Sequence, residues 1–201
     1  MKPPPVSPAV LRRVILSSFP FKEVAEDSVK DLGGFYDRNY FFKGKLLRVA
    51  EQLQDKSCPS QWNLSSGCLK EDEFVVKVMN TFDSKHPVVI DAMVASMEHV
   101  LLKGLRVPAP VAARDGSRFA QVSHGILLDS PPSEHTAEPS TEYSICCVIV
   151  MTYLQGIELE KVPKSKELLY QFGVLAGRLD AAWKVRLASL HDDGLGHIVL
   201  L

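Results

Sequence analysis

The chain has 201 residues, of which 46% are hydrophobic and 23% are charged. This composition is typical of a globular protein and excludes a disordered or collagen-like chain. Lys and Arg total 23 and Asp and Glu total 24, so the sequence lacks the strong basic field of a nucleic-acid-binding protein. The length fits one ordinary domain or two small lobes.

The sequence contains four cysteines: Cys58, Cys68, Cys146 and Cys147. They have neither zinc-ligand spacing nor the density of a disulfide framework, so we expect reduced thiols and no metal site. Cys146 and Cys147 are adjacent in an apolar run and should point to opposite faces of a strand.

The N-terminal segment does not have the pattern of a signal peptide, because prolines occupy its early positions and Arg12-Arg13 interrupts its apolar stretch. The longest uncharged apolar run, 145–151, is far shorter than the ~20 residues of a membrane span. We therefore expect a soluble, cytoplasmic protein with no membrane partner.

The first predicted element is a short amphipathic helix. Ser7 can accept a capping hydrogen bond and Pro8 is preset for the first helical turn, so the helix should begin there and end near Ser18. Its apolar residues recur at helical spacing: Val10, Leu11, Val14 and Ile15. Residues 32–44, LGGFYDRNYFFKG, then predict a turn that enters a strand. The pair Gly33-Gly34 is not a GxGxxG motif, and the pattern alone favours an ordinary hairpin turn.

The middle of the chain predicts a loop, a strand and a helix. Residues 45–54 fit a short helix, and residues 57–67 carry the Pro, Ser, Asn and Gly of a loop. Residues 73–79, EFVVKVM, predict a strand buried on both faces. His86-Pro87 should begin a helix that runs to about Lys103 and is ended by Gly104. The apolar stripe predicted for this helix consists of Val89, Ile90, Met93, Met97, Val100 and Leu101.

Two strand-like pieces follow, around Ala112 and at 119–128. Asp115-Gly116 lies between them as a predicted hairpin turn. Residues 129–142, DSPPSEHTAEPSTE, are polar and rich in proline, which predicts a flexible surface loop.

The last two predicted elements have the clearest strand pattern and the clearest helix pattern in the sequence. Residues 143–152 predict a strand, and residues 168 to about 190 predict a helix whose apolar residues recur every three or four positions. These apolar residues are Leu168, Phe172, Leu175, Leu179 and Trp183. The order of elements indicates an α+β lobe, an antiparallel sheet covered by a helix, followed by the beginning of another part.

Lys77 is the most unusual residue in this pattern, because it lies in the middle of an apolar strand. Burial of an ammonium group is costly unless the group meets an anion. One role for such a lysine is to hold nucleotide phosphates, with an acidic helix residue orienting it. The alternative, which the pattern alone favours, is an edge-strand lysine that extends to water.

Several short segments follow one another in the order and spacing of a known family. They are YDRNYFF (36–42), EFVVKVMNT (73–81), GLRVPAP (104–110), MTYLQGIELEKVP (151–163), LLYQFGVLAGRLDAAW (168–183) and LASLH (187–191). These segments resemble the aminoglycoside phosphotransferase-like kinases, and within them the branch that phosphorylates 5-hydroxylysine. The resemblance implies a protein-kinase-like N-terminal lobe over 1–150, with an antiparallel sheet and a covering helix. The hinge and the first helix of a truncated C-terminal lobe would occupy 151–201.

The resemblance also implies roles for individual residues. Lys77 would contact the phosphates of GTP or ATP, bound with magnesium, and Asp37 and Asn39 would lie in the loop over the phosphates. The hinge, Met151–Leu154 with Tyr153 in it, would pair with the purine through backbone groups. The family transfers a terminal phosphoryl group to the hydroxyl of a small molecule. For the resembling branch the acceptor is 5-hydroxylysine, the donor is GTP, and the setting is lysine catabolism.

The sequence departs from the family at the partner of the lysine and at a hairpin. The helix offers Asp91 or Glu98 as the acidic partner of Lys77, and either could instead be a solvated helix charge. Residues 44–72 are longer than the hairpin of the family, which indicates either an inserted loop or an error in the predicted gene.

The third departure concerns catalysis. The family has a His-Gly-Asp loop with an Asn five residues later, and a further metal-binding Asp. The segment His191-Asp192-Asp193 has Ile198 where that Asn is expected, so we assign no catalytic and no metal-binding residue. We expect a truncated form that is inactive or binds nucleotide only weakly. One alternative is a non-catalytic, pseudokinase-like module that contacts a protein partner through its hinge and last helix. Another is an incomplete fragment without function.

Overall fold

The computed structural model describes four stretches of the chain: residues 5–47, 73–127, 145–157 and 159–192. The chain forms two compact units, each built from two stretches: Met1–Asp91 with Pro110–Tyr153, and Ala92–Ala109 with Leu154–Leu201. Several predictions fall outside the described residues: most of the insertion at 44–72, the loops at 57–67 and 129–142, Cys58, Cys68 and Asp193.

The described residues form helices and strands in this chain order: α1 (Pro8–Ser18), β1 (Phe21–Val24), β2 (Lys30–Gly33), β3 (Arg38–Leu46), β4 (Glu73–Val78), α2 (Pro87–Leu102), β5 (Pro110–Val111), β6 (Ala120–Ser123), α3 (His124–Leu127), β7 (Ile145–Thr152) and α4 (Lys166–Asp192). Short 3-10 turns lie at Glu26–Ser28, Asp83–Lys85 and Leu159–Lys161. The strands form an antiparallel sheet in the order β1-β3-β4-β7-β5. Strand β2 also pairs with β3, and β6 also pairs with β7. This is an α+β fold with the sheet of a kinase-like N-terminal lobe, so the predicted fold class is confirmed.

Helix α1 has the bounds that the sequence predicts. The Ser7 side chain accepts a hydrogen bond from the Val10 amide, and Pro8 occupies the first helical turn. All four residues of its predicted apolar stripe are buried in the core of the first unit. Three phenylalanine rings complete that core: Phe21, Phe42 and Phe74, with ring centroids 4.9 to 5.5 Å apart. Aromatic contacts at these separations stabilise a core beyond the area that they bury.

Strand β4 has one fully buried face and one half-buried face. Phe74, Val76 and Val78 are buried, whereas the alternate residues, among them Lys77, remain partly exposed. The prediction of a strand buried on both faces is therefore wrong for one face. Alternation in burial follows from the pleat, because successive side chains point to opposite sides of a sheet. The half-buried face of β4 is the one that carries the charged side chain of Lys77.

Strands β5 and β6 differ from the prediction in how they pair. The turn at Asp115-Gly116 is present, with Gly116 at a φ of 84° and its amide donating to Ala113. However, β5 and β6 both pair with β7, one after the other along the same edge, instead of with each other. The strand predicted at 119–128 also ends early, because residues 124–127 form helix α3.

The structure also corrects the short helix that was predicted from residue 45. Lys45 and Leu46 belong to strand β3, where they pair with β1, and not to the short helix predicted from residue 45. Strand β1 had no clear signal in the sequence, since only Phe21 and Val24 of its four residues are apolar and they do not alternate with polar residues. In the structure both of these side chains are buried.

In the second unit, the end of helix α2 packs with part of helix α4. Val100, Leu105 and Ala182 are buried together, and the Nε2 of His99 lies 2.9 Å from the carbonyl oxygen of Ala182. Gly104 ends α2 as predicted: it has a φ of 74°, and the amides of Gly104 and Leu105 donate to Leu101 and Val100. This double hydrogen bond is the Schellman arrangement, which requires a left-handed residue after the helix.

The predicted apolar stripes of α2 and α4 are only partly correct. On α2, Ile90 and Val100 are buried as expected, but Val89 is exposed and Val94 is buried in its place. On α4 the stripe follows the predicted spacing, yet Phe172 and Trp183 are 57% and 48% exposed. Within the described residues, no helix is both long enough and apolar enough to cross a membrane.

Candidate functional site

Lys77 lies in the middle of the sheet and not at its edge. Strand β4 is flanked by β3 and β7, and in that register Lys77 is opposite Asn39 on one side and Ile149 on the other. The interpretation of Lys77 as an edge-strand lysine is therefore wrong. Its side chain belongs to the half-buried face, together with Phe41 and Val75. A positive charge on this face needs an anionic partner to offset the loss of water.

The partner that the structure supplies is Asp37. Its Oδ2 lies 2.6 Å from the Nζ of Lys77, and the two side chains are 13% and 24% exposed. Lys77 therefore has a charge partner that comes from the turn before β3 rather than from helix α2. An ammonium group has three N–H donors. One of them donates to Asp37, and among the residues that the structure describes the other two have no partner, so they can receive a further anion.

The second oxygen of Asp37 is fixed by Asn80, directly after β4. Asp37 Oδ1 accepts hydrogen bonds from the amide N–H of Asn80 at 2.9 Å and from its Nδ2 at 3.0 Å. Asn80 is itself buried, and it also donates to Asp83 Oδ2 and accepts from the Asp83 amide. Partial burial alone would raise the pKa of Asp37, but the Lys77 ammonium and the Asn80 donors outweigh burial and lower the pKa below its usual 3.8.

Asn80 and Asp83 were missed by the sequence analysis. The available signal was an Asn followed three residues later by Asp, immediately after a strand, which is a spacing at which a side chain caps a turn. Nothing in the sequence indicates that the amide N–H and the Nδ2 of Asn80 also donate to Asp37.

The glycine turn between β2 and β3, which contains Gly33 and Gly34, is held by the side chains of Asp31 before it and Asn39 after it. Gly33 and Gly34 have φ values of 76° and 143°, and a Cβ at Gly34 would come within 2.3 Å of the Asp37 carbonyl oxygen. Asn39 donates from Nδ2 to the Gly33 carbonyl, and Asp31 accepts from the Gly33 amide. The turn is thus a hairpin turn, as the pattern favoured, and Asn39 holds its shape. It leads directly into Asp37.

Aromatic and apolar side chains lie further along the same face of the sheet. The rings of Phe41 and Tyr153 meet edge to face with centroids 5.1 Å apart. Met151 is in β7, opposite Val75 and Pro110. The Tyr153 amide donates to the Glu73 carbonyl at 3.0 Å, so this predicted hinge donor already has a partner. Leu154, the last predicted hinge residue, has a partly exposed side chain.

Asp91 is not brought to Lys77. Both of its carboxylate oxygens lie 3.1 Å from the Nη1 of Arg118. The other helix candidate, Glu98, is partly buried on α2. Among the described residues, Asp37 is the carboxylate that pairs with Lys77.

The neighbouring cysteines on β7 have a structural role. Cys146 is buried in the core of the first unit. Cys147 lies on the other face of the strand, and its amide donates a hydrogen bond to the Ser84 hydroxyl oxygen at 2.9 Å. Burial raises the pKa of the Cys146 thiol to about 11, which leaves it protonated at neutral pH. No group of three or more His, Cys, Asp or Glu side chains in the described part of the chain is arranged to hold a metal ion.

The site therefore combines a fixed cation with an apolar, aromatic surface on one sheet face. Two donors of Lys77 can receive an anion such as a phosphate, because a charged donor forms strong hydrogen bonds to such oxygens. Phe41, Tyr153 and Met151 can contact a planar ring, since aromatic and thioether groups favour such contacts. These residues fit a nucleotide, and a magnesium ion would have to be held largely by the phosphates.

The comparisons with known proteins agree with the class of fold. Three curated relatives match the chain, and each bears the name hydroxylysine kinase. The one from Xenopus laevis is 24% identical over 153 residues, which is 76% of this chain and 32% of the relative. The one from Bos taurus is 28% identical over 126 residues, or 61% of this chain and 30% of the relative. The one from Danio rerio is 31% identical over 108 residues, or 54% of this chain and 27% of the relative.

The fold and these matches define the class: an α+β protein with a kinase-like N-terminal lobe. More particularly, the chain is a distant relative of the hydroxylysine kinases. It spans about a third of the length of the curated relatives that it matches. No protein-family profile matches the chain.

The lowered pKa of Asp37 predicts how stability depends on pH. Because the folded state favours the carboxylate, its stabilising contribution is present above the usual pKa of 3.8 and is lost as the pH falls through the lower folded value. We expect Asp37→Asn to reduce the free energy of unfolding by about 1 to 3 kcal/mol at about pH 6, and by less at about pH 3. Urea unfolding of both proteins at each pH measures this difference.

Asp27→Asn is the matched control, because Asp27 is exposed. Its effect on the free energy of unfolding should be small. A cost of Asp37→Asn that does not shrink in acid would show that the charge of Asp37 does not stabilise the fold.

Proposed function

We propose that this chain binds a purine nucleoside triphosphate, GTP or ATP with magnesium, on the half-buried face of its sheet. The observation that carries the proposal is Lys77, a half-buried ammonium in the centre of the sheet that Asp37 fixes. Within the described stretches of the chain, two of its N–H donors have no protein partner. A structural ion pair alone does not require a lysine in the middle of an apolar strand, because an aliphatic residue there would be as stable or more stable.

The neighbouring residues support this assignment. Phe41 and Tyr153 offer an aromatic edge for the purine, and the hinge Met151–Leu154 offers backbone groups, of which the Tyr153 amide is already bonded to Glu73. Asn39 keeps the glycine turn in shape. We assign Asp37 and Asn39 to the phosphate end of the site, and Met151, Tyr153 and Leu154 to the purine end. We do not assign Asp91, which pairs with Arg118.

We further propose that the activity to which this lobe belongs is phosphorylation of the hydroxyl of 5-hydroxylysine, in cytoplasmic lysine catabolism. The support is the name carried by all three relatives, hydroxylysine kinase. In this proposal residues 1–150 form the nucleotide lobe, and residues 151–201 form the hinge and the beginning of the second lobe.

Phosphoryl transfer needs a base and metal ligands in addition to a nucleotide lobe. The 201 residues contain no His-Gly-Asp segment followed by the Asn of the family. We therefore assign nucleotide binding, and not phosphoryl transfer, to these residues taken by themselves.

A second candidate function is that of a non-catalytic, pseudokinase-like binding module. Helix α4 supports it, because several large apolar residues on this helix are exposed: Leu169, Tyr170, Phe172, Val174, Leu175 and Trp183. Large exposed apolar patches commonly mark interaction sites. The two candidates differ in their dependence on Lys77, which only nucleotide binding requires.

Replacing Lys77 tests the nucleotide site. We expect Lys77→Met to weaken binding of magnesium GTP or ATP by at least about tenfold, because it removes the charged donor to the phosphates. Isothermal titration calorimetry on both proteins measures the affinity, and a thermal melt checks that the variant remains folded. The control is Lys45→Met, which should leave the affinity unchanged, since Lys45 on β3 forms an exposed ion pair with Glu23 on β1. Equal binding by wild type and Lys77→Met would overturn the proposed role.

An activity assay tests whether these residues by themselves catalyse phosphoryl transfer. We expect the purified 201-residue chain to produce no GDP or ADP above background when 5-hydroxylysine and a magnesium nucleotide are supplied, because a base and metal ligands are needed for transfer. A coupled assay for the nucleoside diphosphate measures turnover. Release of diphosphate that depends on 5-hydroxylysine would contradict this assignment.

A further inference from the structure

The carboxylate that holds Lys77 is the unexpected feature of the site. A lysine of this kind was expected to pair with an acidic residue on the following helix. In this chain the helix carboxylate at Asp91 is already bonded to Arg118, while Asp37 lies 2.6 Å from the ammonium.

We propose that Asp37, fixed by Asn80, is the residue that positions Lys77 for the phosphates of the nucleotide. This inference rests on the proposed nucleotide-binding function. It makes the glycine turn, and not helix α2, the element that sets the orientation of the lysine.

The two carboxylate oxygens of Asp37 have different partners. Oδ2 accepts from Lys77, and Oδ1 accepts from both the amide and the Nδ2 of Asn80. A carboxylate with only one partner could rotate, whereas hydrogen bonds on both oxygens fix its plane. The ammonium is therefore directed toward one place instead of sampling several rotamers.

Asn80 is anchored by contacts that do not involve Asp37. Its Nδ2 donates to Asp83, its Oδ1 accepts from the Asp83 amide, and its carbonyl accepts from the Ser84 hydroxyl. The Ser84 hydroxyl in turn accepts from the amide of Cys147 on β7. The position of Asp37 is thus tied to the centre of the sheet, beside the strand that carries Lys77.

Asp37 offsets the charge of Lys77 without burying the ammonium group completely. The lysine side chain keeps 24% of its surface exposed, and two of its three N–H donors bond to none of the other described residues. A lysine that is held in place loses less side-chain entropy when a phosphate binds. On this account Asp37 increases the affinity for phosphate, although its own charge repels one.

The sign of the effect of Asp37→Asn on affinity separates the two roles that a carboxylate can have here. If Asp37 positions the lysine, the variant binds magnesium GTP about tenfold more weakly than wild type. If Asp37 merely competes with phosphate, the variant binds more tightly. Asp91→Asn is the matched control and should not change the affinity, because Asp91 faces Arg118. Calorimetric titration of magnesium GTP gives all of these affinities.

Two further variants distinguish positioning from a loss of structure. Asp37→Glu retains a carboxylate and should recover part of the affinity that Asp37→Asn loses. Asn80→Ser retains an oxygen for the Asp83 amide but removes the Nδ2 donor to Asp37, so it should weaken binding by about threefold. Asn80→Ser also tests the proposal if Asp37→Asn does not fold, which thermal melts reveal.

The outcomes separate this inference from the function on which it rests. If wild type does not bind magnesium GTP or ATP, or binds no better than Lys77→Met, both proposals are overturned. If wild type depends on Lys77 but Asp37→Asn and Asn80→Ser bind as well or more tightly, only the positioning role is overturned. If Asp91→Asn loses affinity and Asp37→Asn does not, helix α2 supplies the positioning residue.

Discussion

An ammonium group in the centre of a sheet has to meet an anion, and the structure of the first unit around this site follows from that requirement. Lys77 lies between β3 and β7, where water reaches it only in part, and Asp37 supplies the negative charge. For Asp37 to reach it, the chain must turn sharply before β3, and Gly34 makes the turn possible because no side chain would fit there. Asn39 and Asn80 then fix the two sides of the turn.

The same sheet serves two purposes on its two faces. One face is a conventional core, where helix α1 and the rings of Phe21, Phe42 and Phe74 exclude water. Burial of this apolar area supplies most of the stability of a unit of this kind. The opposite face can then carry groups that cost stability, such as Lys77 and a partly exposed aromatic pair. A binding site on a rigid sheet also keeps its groups in place better than a site on loops does.

Local signals predicted most of the fold, and contacts between distant residues account for what they missed. Ser7-Pro8 and Gly104 fixed the ends of α1 and α2, because caps depend on only a few adjacent residues. Lys77 could be identified as unusual from its apolar neighbours alone. Its partner could not, since the sequence offered Asp91 at helical spacing, and only the fold shows that Asp91 faces Arg118. The pairing of β5 and β6 with β7 was likewise hidden, because a turn signal such as Asp115-Gly116 does not specify which strands pair.

Labelling by a reactive nucleotide would test the central claim most directly. An acyl-phosphate derivative of GTP or ATP acylates a lysine that lies against the bound phosphates, and peptide mass spectrometry identifies the lysine that carries the label. The account predicts that Lys77 is labelled preferentially and that an excess of unmodified magnesium nucleotide protects it. Labelling spread over exposed lysines such as Lys43 and Lys45, with no protection of Lys77, would contradict the account.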